Sequence, residues 1–177
     1  MDDIKRIKRE PVHQGHIIDL YKDTVQLPDG KTAQWDFIRH KGAAAIIPVD
    51  KDGSIVMVRQ YRNAIDRSTL EIPAGGLNPG EDMKTCALRE LEEETGYRSE
   101  QAEHLIDLYT TVAFCNEKIG IYYTDDLMPS RQKLDEDEYV TIEKYPLEQL
   151  VQFILDGVIE DAKTISAILA YKTKLGL

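Results

Sequence analysis

Glu90, Glu92, Glu93 and Glu94 stand almost side by side in the stretch AGGLNPGEDMKTCALRELEEETGY, residues 74–97. On a helix, like charges three or four residues apart each cost roughly 0.2–0.5 kcal/mol. At 100° per residue, Glu90, Glu93 and Glu94 fall within about one third of the circumference, while Glu92 points away. Ala87, Leu88 and Leu91 form the adjoining apolar stripe, so three carboxylates gather beside the edge that packs on a sheet. That arrangement suits a hard divalent cation. Mg²⁺ takes oxygen ligands, often a few carboxylates with waters and substrate phosphates, and a bound ion removes the repulsion. Glycines in PAGG, residues 73–76, permit close backbone approach, which makes the Ala74 carbonyl a further candidate ligand. Arg89 lies three and four residues before Glu92 and Glu93 and can orient one of them. The plain alternative for such a run is an acidic solvated face.

These carboxylates need a helix, and the sequence marks one. Pro79 and Gly80 precede acidic residues suited to a helix N-terminus, and Gly96 stands where a C-terminal glycine stops a helix. Upstream, HIIDLYKDTVQL and TAQWDFIRH alternate as strands around the turn PDGK. GAAAIIPVD and IVMVRQYR are apolar runs of buried-strand type. NAIDRST reads as a loop leading into LEIPAGGL. AEHLIDLYT, KIGIYYTDDL and YVTIEKY read as later strands. PLEQLVQFILDG and DAKTISAILAYKTKL read as closing helices, the second with an aspartate cap. We place a boundary near His40–Gly42, with a small antiparallel β region over 1–41 and the main domain over 42–177. Strands, helix, strands, helices is the order of an α/β (α+β) fold, a mixed sheet with helices packed on it.

The length of 177 residues suits one domain with a small appendage,. The net charge of −10 argues against nucleic acid and anionic membranes as partners, since both require basic surface,. Cys86 and Cys115 have no CxxC partner and read as reduced thiols. The charged start MDDIKRIKREPVHQG lacks the apolar run of a signal peptide, and no stretch is long enough to span a bilayer. A cytoplasmic protein is expected.

The acidic run sits in a fixed frame: Gly75, five residues, Glu81, seven residues, then Arg89-Glu90-Leu91-Glu92-Glu93-Glu94-Thr95-Gly96-Tyr97. This resembles the signature of the Nudix hydrolases at every fixed position. The resemblance implies an α/β/α sandwich around a mixed sheet, and cleavage of a nucleoside diphosphate linked to another moiety. It implies Glu90, Glu93 and Glu94 as metal ligands, with Mg²⁺ as the ion and Mn²⁺ as a substitute. Ala74 would add its carbonyl, and Arg89 and Glu81 would support the site.

VRQYR at 58–62, LEIPAG at 70–75, PGED at 79–82 and DAKTISAILAY at 161–171 resemble the ADP-ribose pyrophosphatase branch. That branch implies hydrolysis of ADP-ribose or a similar nucleotide sugar to a nucleoside monophosphate and a sugar phosphate. It also implies a homodimer formed through the N-terminal region. Arg59 and Arg62 could clamp phosphate or ribose bidentately, or form ordinary ion pairs. Glu71 could hold a ribose hydroxyl or pair with an arginine. Trp35 could stack on adenine or pack at the N-terminal interface. A general base is expected from the acidic loop LDEDEY. Alignment favours Glu136, with Glu138 second, and Glu117 or a box glutamate behind them. One departure stands out: Val112 and Ala113 occupy the places of the branch's proline and glycine, although Glu117 matches the downstream acidic position. The exact substrate is therefore open. GDP-mannose or a dinucleotide is the enzymatic alternative, and a non-catalytic ADP-ribose sensor is the alternative from another class.

Overall fold

The computed structural model describes residues 3–134, 136 and 138–177. In chain order the strands before the first helix are β1 (Lys5–Gln14), β2 (Asp19–Gln26), β3 (Thr32–Arg39), β4 (Ala43–Pro48), β5 (Ile55–Arg62), β6 (Arg67–Glu71) and β7 (Ala74–Gly76). Helix α1 (Met83–Thr95) follows, then β8 (Tyr97–Arg98), β9 (Glu103–Tyr109), β10 (Lys118–Thr124), β11 (Met128–Pro129) and β12 (Val140–Tyr145). Helices α2 (Leu147–Leu155) and α3 (Ala162–Lys174) close the chain. No helix among the described residues is long and apolar enough to cross a membrane.

The chain divides into two compact units, Met1–Gly42 with Tyr109–Lys118, and Ala43–Leu108 with Ile119–Leu177. The first unit contains the antiparallel sheet β1-β2-β3. It also takes in 109–118, which the sequence reading assigns to the main domain. β1 runs through KRIKREPVHQ, a stretch with no apolar alternation to mark it. The reason is that none of its side chains is buried.

The second unit is organised by β4. All six of its residues are buried, and its alternating side chains serve two different cores. Ala43, Ala45 and Ile47 pack with Met57 of β5, Leu150 of α2 and Ile168 of α3. Ala44 and Ile46 pack with Val56 and with Cys86, Ala87 and Leu91 of α1. Fully burying each isoleucine is worth about 1.5–3 kcal/mol relative to exposure. Helices thus lie on both sides of the strands, which is the α/β/α layering expected. β4 pairs parallel with β10 and antiparallel with β7, so the four-stranded sheet β7-β4-β10-β9 is mixed. A second sheet runs β12-β5-β6. Here the sequence reading is corrected: Arg67-Ser68-Thr69 do not belong to a loop but open β6, paired with Arg62, Tyr61 and Gln60. Thr69 is buried there, and the turn tightens to Asn63–Asp66, with Asp66 at φ 53°.

Candidate active site

Helix α1 carries the acidic run and is fixed at both ends. Asp82 caps its start, accepting from the Lys84 and Thr85 N–H groups at 3.0 and 3.1 Å. Such a cap is worth about 0.5–2 kcal/mol. Gly96 ends it in the left-handed region at φ 66°, donating to the Glu92 carbonyl. One side of α1 buries Cys86, Ala87 and Leu91, and the neighbouring side buries Glu90 and Glu94, one turn apart. Glu93 is half-buried and Glu92 bonds outward to Ser130 and Lys133.

Strand β7 runs against the two buried carboxylates. A Cβ on Gly75 would lie 1.9 Å from Glu90 Oε1, so any larger residue there would displace this carboxylate from its present place,. The Ala74 N–H donates to Glu94 Oε2 at 3.0 Å. Burial pushes the Glu90 carboxyl up to about 7, against the pull of Arg89. Burial pushes Glu94 up to about 8, with the Ala74 N–H opposing and the charges of Glu90 and Glu138 adding to the rise,. Arg89 ties the rest together. Its Nη1 donates to Glu90 Oε1 at 2.6 Å and Glu93 Oε2 at 2.7 Å. Its Nε and Nη2 form a fork on Glu81, and Nη2 also donates to the Gly76 carbonyl at 3.0 Å.

As the side chains stand, no three acidic, imidazole or thiol groups among the described residues converge tightly enough to hold an ion. Arg89 draws Glu90 and Glu93 to itself, and Glu94 faces the Ala74 N–H. The donor chemistry nevertheless fits a hard cation. Carboxylate oxygens line one helix face beside a backbone that glycine brings into contact. Two of the carboxylates are also buried beside each other, an arrangement that either protonation or a nearby cation relieves.

Arg62 and Glu71 form a fork of 2.8 and 2.6 Å. Glu71 also accepts from Thr69 and from the buried Lys163, which donates in turn to Asp161 at 2.8 Å. Burial alone would raise the Glu71 carboxyl, but Arg62 and Lys163 outweigh it and hold it down at about 2. Of the two sequence readings of Glu71, the ion pair is the one realised here. Arg59 is likewise engaged, with its Nε 2.5 Å and its Nη2 3.2 Å from Glu143. Glu136 is exposed in the segment before β12. Glu138 is half-buried, and its charge is felt at both Glu90 and Glu94.

Trp35 and Glu117 belong to the first unit. Trp35, half exposed on β3, lines a cleft of about 630 Å³ with Leu20, Gln34, Ile38 and Phe114. Glu117 accepts from Thr110 Oγ1 at 2.8 Å and lies 3.4 Å from His40 Nδ1. Val112, which stands in the place of the branch's proline, is largely exposed. Lys163 was missed from sequence. Its signal is a lysine in the first turn of a helix, where the dipole disfavours a cation unless a carboxylate meets it.

Residues 39–168 match the family described as NUDIX domain, and residues 4–38 match the nucleoside diphosphate sugar hydrolase N-terminal domain. The chain is 43% identical over 166 residues to a methanol dehydrogenase activator of Bacillus methanolicus, covering 93% of this chain and 90% of that protein. It is 38% identical over 166 residues to an ADP-ribose pyrophosphatase of Bacillus subtilis, with the same coverage of 93% and 90%. A crystal structure of an ADP compounds hydrolase superposes with a TM-score of 0.86 at 22% identity, covering 98% of this chain and 94% of that one.

Proposed function

The chain belongs to the Nudix family, and from that premise we propose that it hydrolyses the pyrophosphate bond of ADP-ribose or a related nucleotide sugar, giving a nucleoside monophosphate and a sugar phosphate. The observation that supports this reading best is the pair Glu90 and Glu94, buried on α1 against the Ala74–Gly75 backbone. Glu90, Glu93, Glu94 and the Ala74 carbonyl would hold Mg²⁺, or Mn²⁺ in its place. When bound, the ion neutralises charge on the diphosphate and makes the phosphorus more electrophilic.

The protein's own groups do the rest. Arg89 orients Glu90 and Glu93, and Glu81 orients Arg89. Arg59 and Arg62 are held by forks that use two of their donors each, leaving the remaining N–H groups for phosphate or ribose oxygens,. The attacking water gives its proton to a carboxylate of the acidic segment. Alignment favours Glu136, but Glu138 is half-buried where Glu136 is exposed, and we place the base at Glu138. Glu138→Gln should lower kcat by roughly 10²–10⁴-fold and Glu136→Gln by much less. The reverse order would move the base to Glu136, and two unaffected rates would move it to Glu117 or a box glutamate.

A panel of nucleotide sugars and dinucleotides, assayed with Mg²⁺ and with products identified by mass, tests the substrate class. AMP and ribose phosphate from ADP-ribose are expected. Faster cleavage of GDP-mannose or a dinucleotide would favour the second reading, to which the exposed Val112 in place of a proline lends weight. Binding of ADP-ribose without turnover would make the chain a sensor. We infer a cytoplasmic homodimer paired through the N-terminal β region, in keeping with exposed Ile4, Ile7 and Val12 on and beside β1. Light scattering should return twice the mass of the chain, and a monomer mass would exclude this pairing.

A further inference from the structure

The C-terminal end of α1 is satisfied by one short stretch of chain. A helix leaves its last four carbonyls without helical partners. Here the Lys133 N–H donates to the Glu93 carbonyl at 2.9 Å, and the Ser130 N–H donates to the Gly96 carbonyl at 2.7 Å. The Glu94 carbonyl is reached by a side chain, Gln132, whose Nε2 donates to it at 2.7 Å. The fit is close: a Cβ on Gly96 would lie 3.0 Å from the Gln132 backbone nitrogen.

A plain helix cap would end there. Gln132 Nε2 also donates to the Val140 carbonyl at 3.3 Å. Val140 is buried and begins β12, paired with Gln60 of β5. One amide therefore links the helix that bears Glu90, Glu93 and Glu94 to both ends of the segment 133–140. Glu138 lies two residues before the Val140 carbonyl. Two backbone carbonyls converging on one side-chain nitrogen require a donor with two N–H bonds, which glutamine supplies.

We propose that Gln132 is a positioning residue, fixing the root of the acidic segment to the C-terminal end of α1 so that Glu138 is held at a set distance from Glu90 and Glu94. This rests on the reading of Glu138 as the base in pyrophosphate hydrolysis. The anchor itself does not depend on that reading.

Gln132→Met keeps the length and removes both N–H donors. Amide exchange at Lys133 and at Glu138–Val140 should quicken about 10-fold, because the bonds from Gln132 to the Glu94 and Val140 carbonyls are gone,. The kcat for the best nucleotide sugar should fall about 10-fold with KM changed less than about twofold, as expected for a misplaced base rather than lost substrate binding. Gln132→Lys, which restores a donor at the negative helix end, should recover most of the rate. In a Glu138→Gln background, Gln132→Met should cost nothing further. Unchanged exchange would overturn the anchor. Faster exchange with unchanged kcat, or losses that multiply in full in the double variant, would overturn the positioning role. A wild-type protein that cleaves no nucleotide sugar would sink the hydrolase reading, while exchange would still decide whether Gln132 anchors the segment.

Discussion

Glu94→Gln should cut turnover by a factor on the order of 10³, since an ion held at such a site supplies several kcal/mol and each 1.36 kcal/mol is tenfold in rate. The same change should leave the fold as stable as before, or more so. Glu94 is almost fully buried and accepts a backbone N–H, a bond that the glutamine oxygen can keep. What the change removes is a charge that burial disfavours. The pH dependence follows from the direction of the shifts. Glu90 and Glu94 are raised to about 7 and about 8, so between roughly pH 4.5 and 8 the folded chain holds protons that the unfolded chain has released,. Stability of the ion-free protein therefore declines as pH rises through that window. Added Mg²⁺ should flatten the decline, and Glu94→Gln should remove much of it. Thermal melts at pH 5 and pH 8, with and without Mg²⁺, check this. Full activity in Glu94→Gln, or a melting temperature indifferent to pH and ion, would contradict the ligand assignment.

Gly75→Ala is expected to have the second large effect, and Gly76→Ala supplies its control. A methyl group on Gly75 would sit 1.9 Å from Glu90 Oε1, whereas one on Gly76 would meet nothing within 4 Å. Neither glycine has a positive φ, so backbone strain does not separate the two. The Gly75 variant must either swing Glu90 out or shift β7, which pairs with Ala44 of the central strand. A displacement of that order costs about 10²-fold in rate, with about 1–3 kcal/mol of overpacking. The Gly76 variant should retain near wild-type kcat. Equal activity in both variants would mean that the contact between β7 and Glu90 is dispensable.

How far the sequence alone reaches depends on whether a feature is local. Asp161 as a cap, Gly96 as a stop and the apolar stripe of α1 are short-range signals, and all three are realised. The spacing of Glu90 and Glu94 on one side of a helix follows from periodicity. Arg89 was legible as a partner for one glutamate, but not as the hub for Glu81, Glu90 and Glu93 together, because the Glu81 contact depends on the path of the preceding turn. β1 falls within the β region expected over 1–41, but its own bounds were not legible because an exposed strand has no buried face to write an alternation,. Lys163 and Gln132 meet partners 92 and 38 residues away, Glu71 and Glu94 respectively, and even where the first-turn lysine calls for a carboxylate, one sequence does not say which.

The knot of Arg62, Glu71 and Lys163 has a bearing on acid tolerance. With its carboxyl held at about 2, Glu71 gives stability that is complete above the ordinary carboxylate range and is lost progressively as pH falls from about 4.5 to about 2,. In the ion-free protein, mild acid discharges the raised pair on α1 before it loosens this knot, and in the loaded protein protons compete with the ion for the same oxygens. Souring the medium should thus silence the catalyst while its frame endures, and neutralising it should bring the activity back without any need to refold.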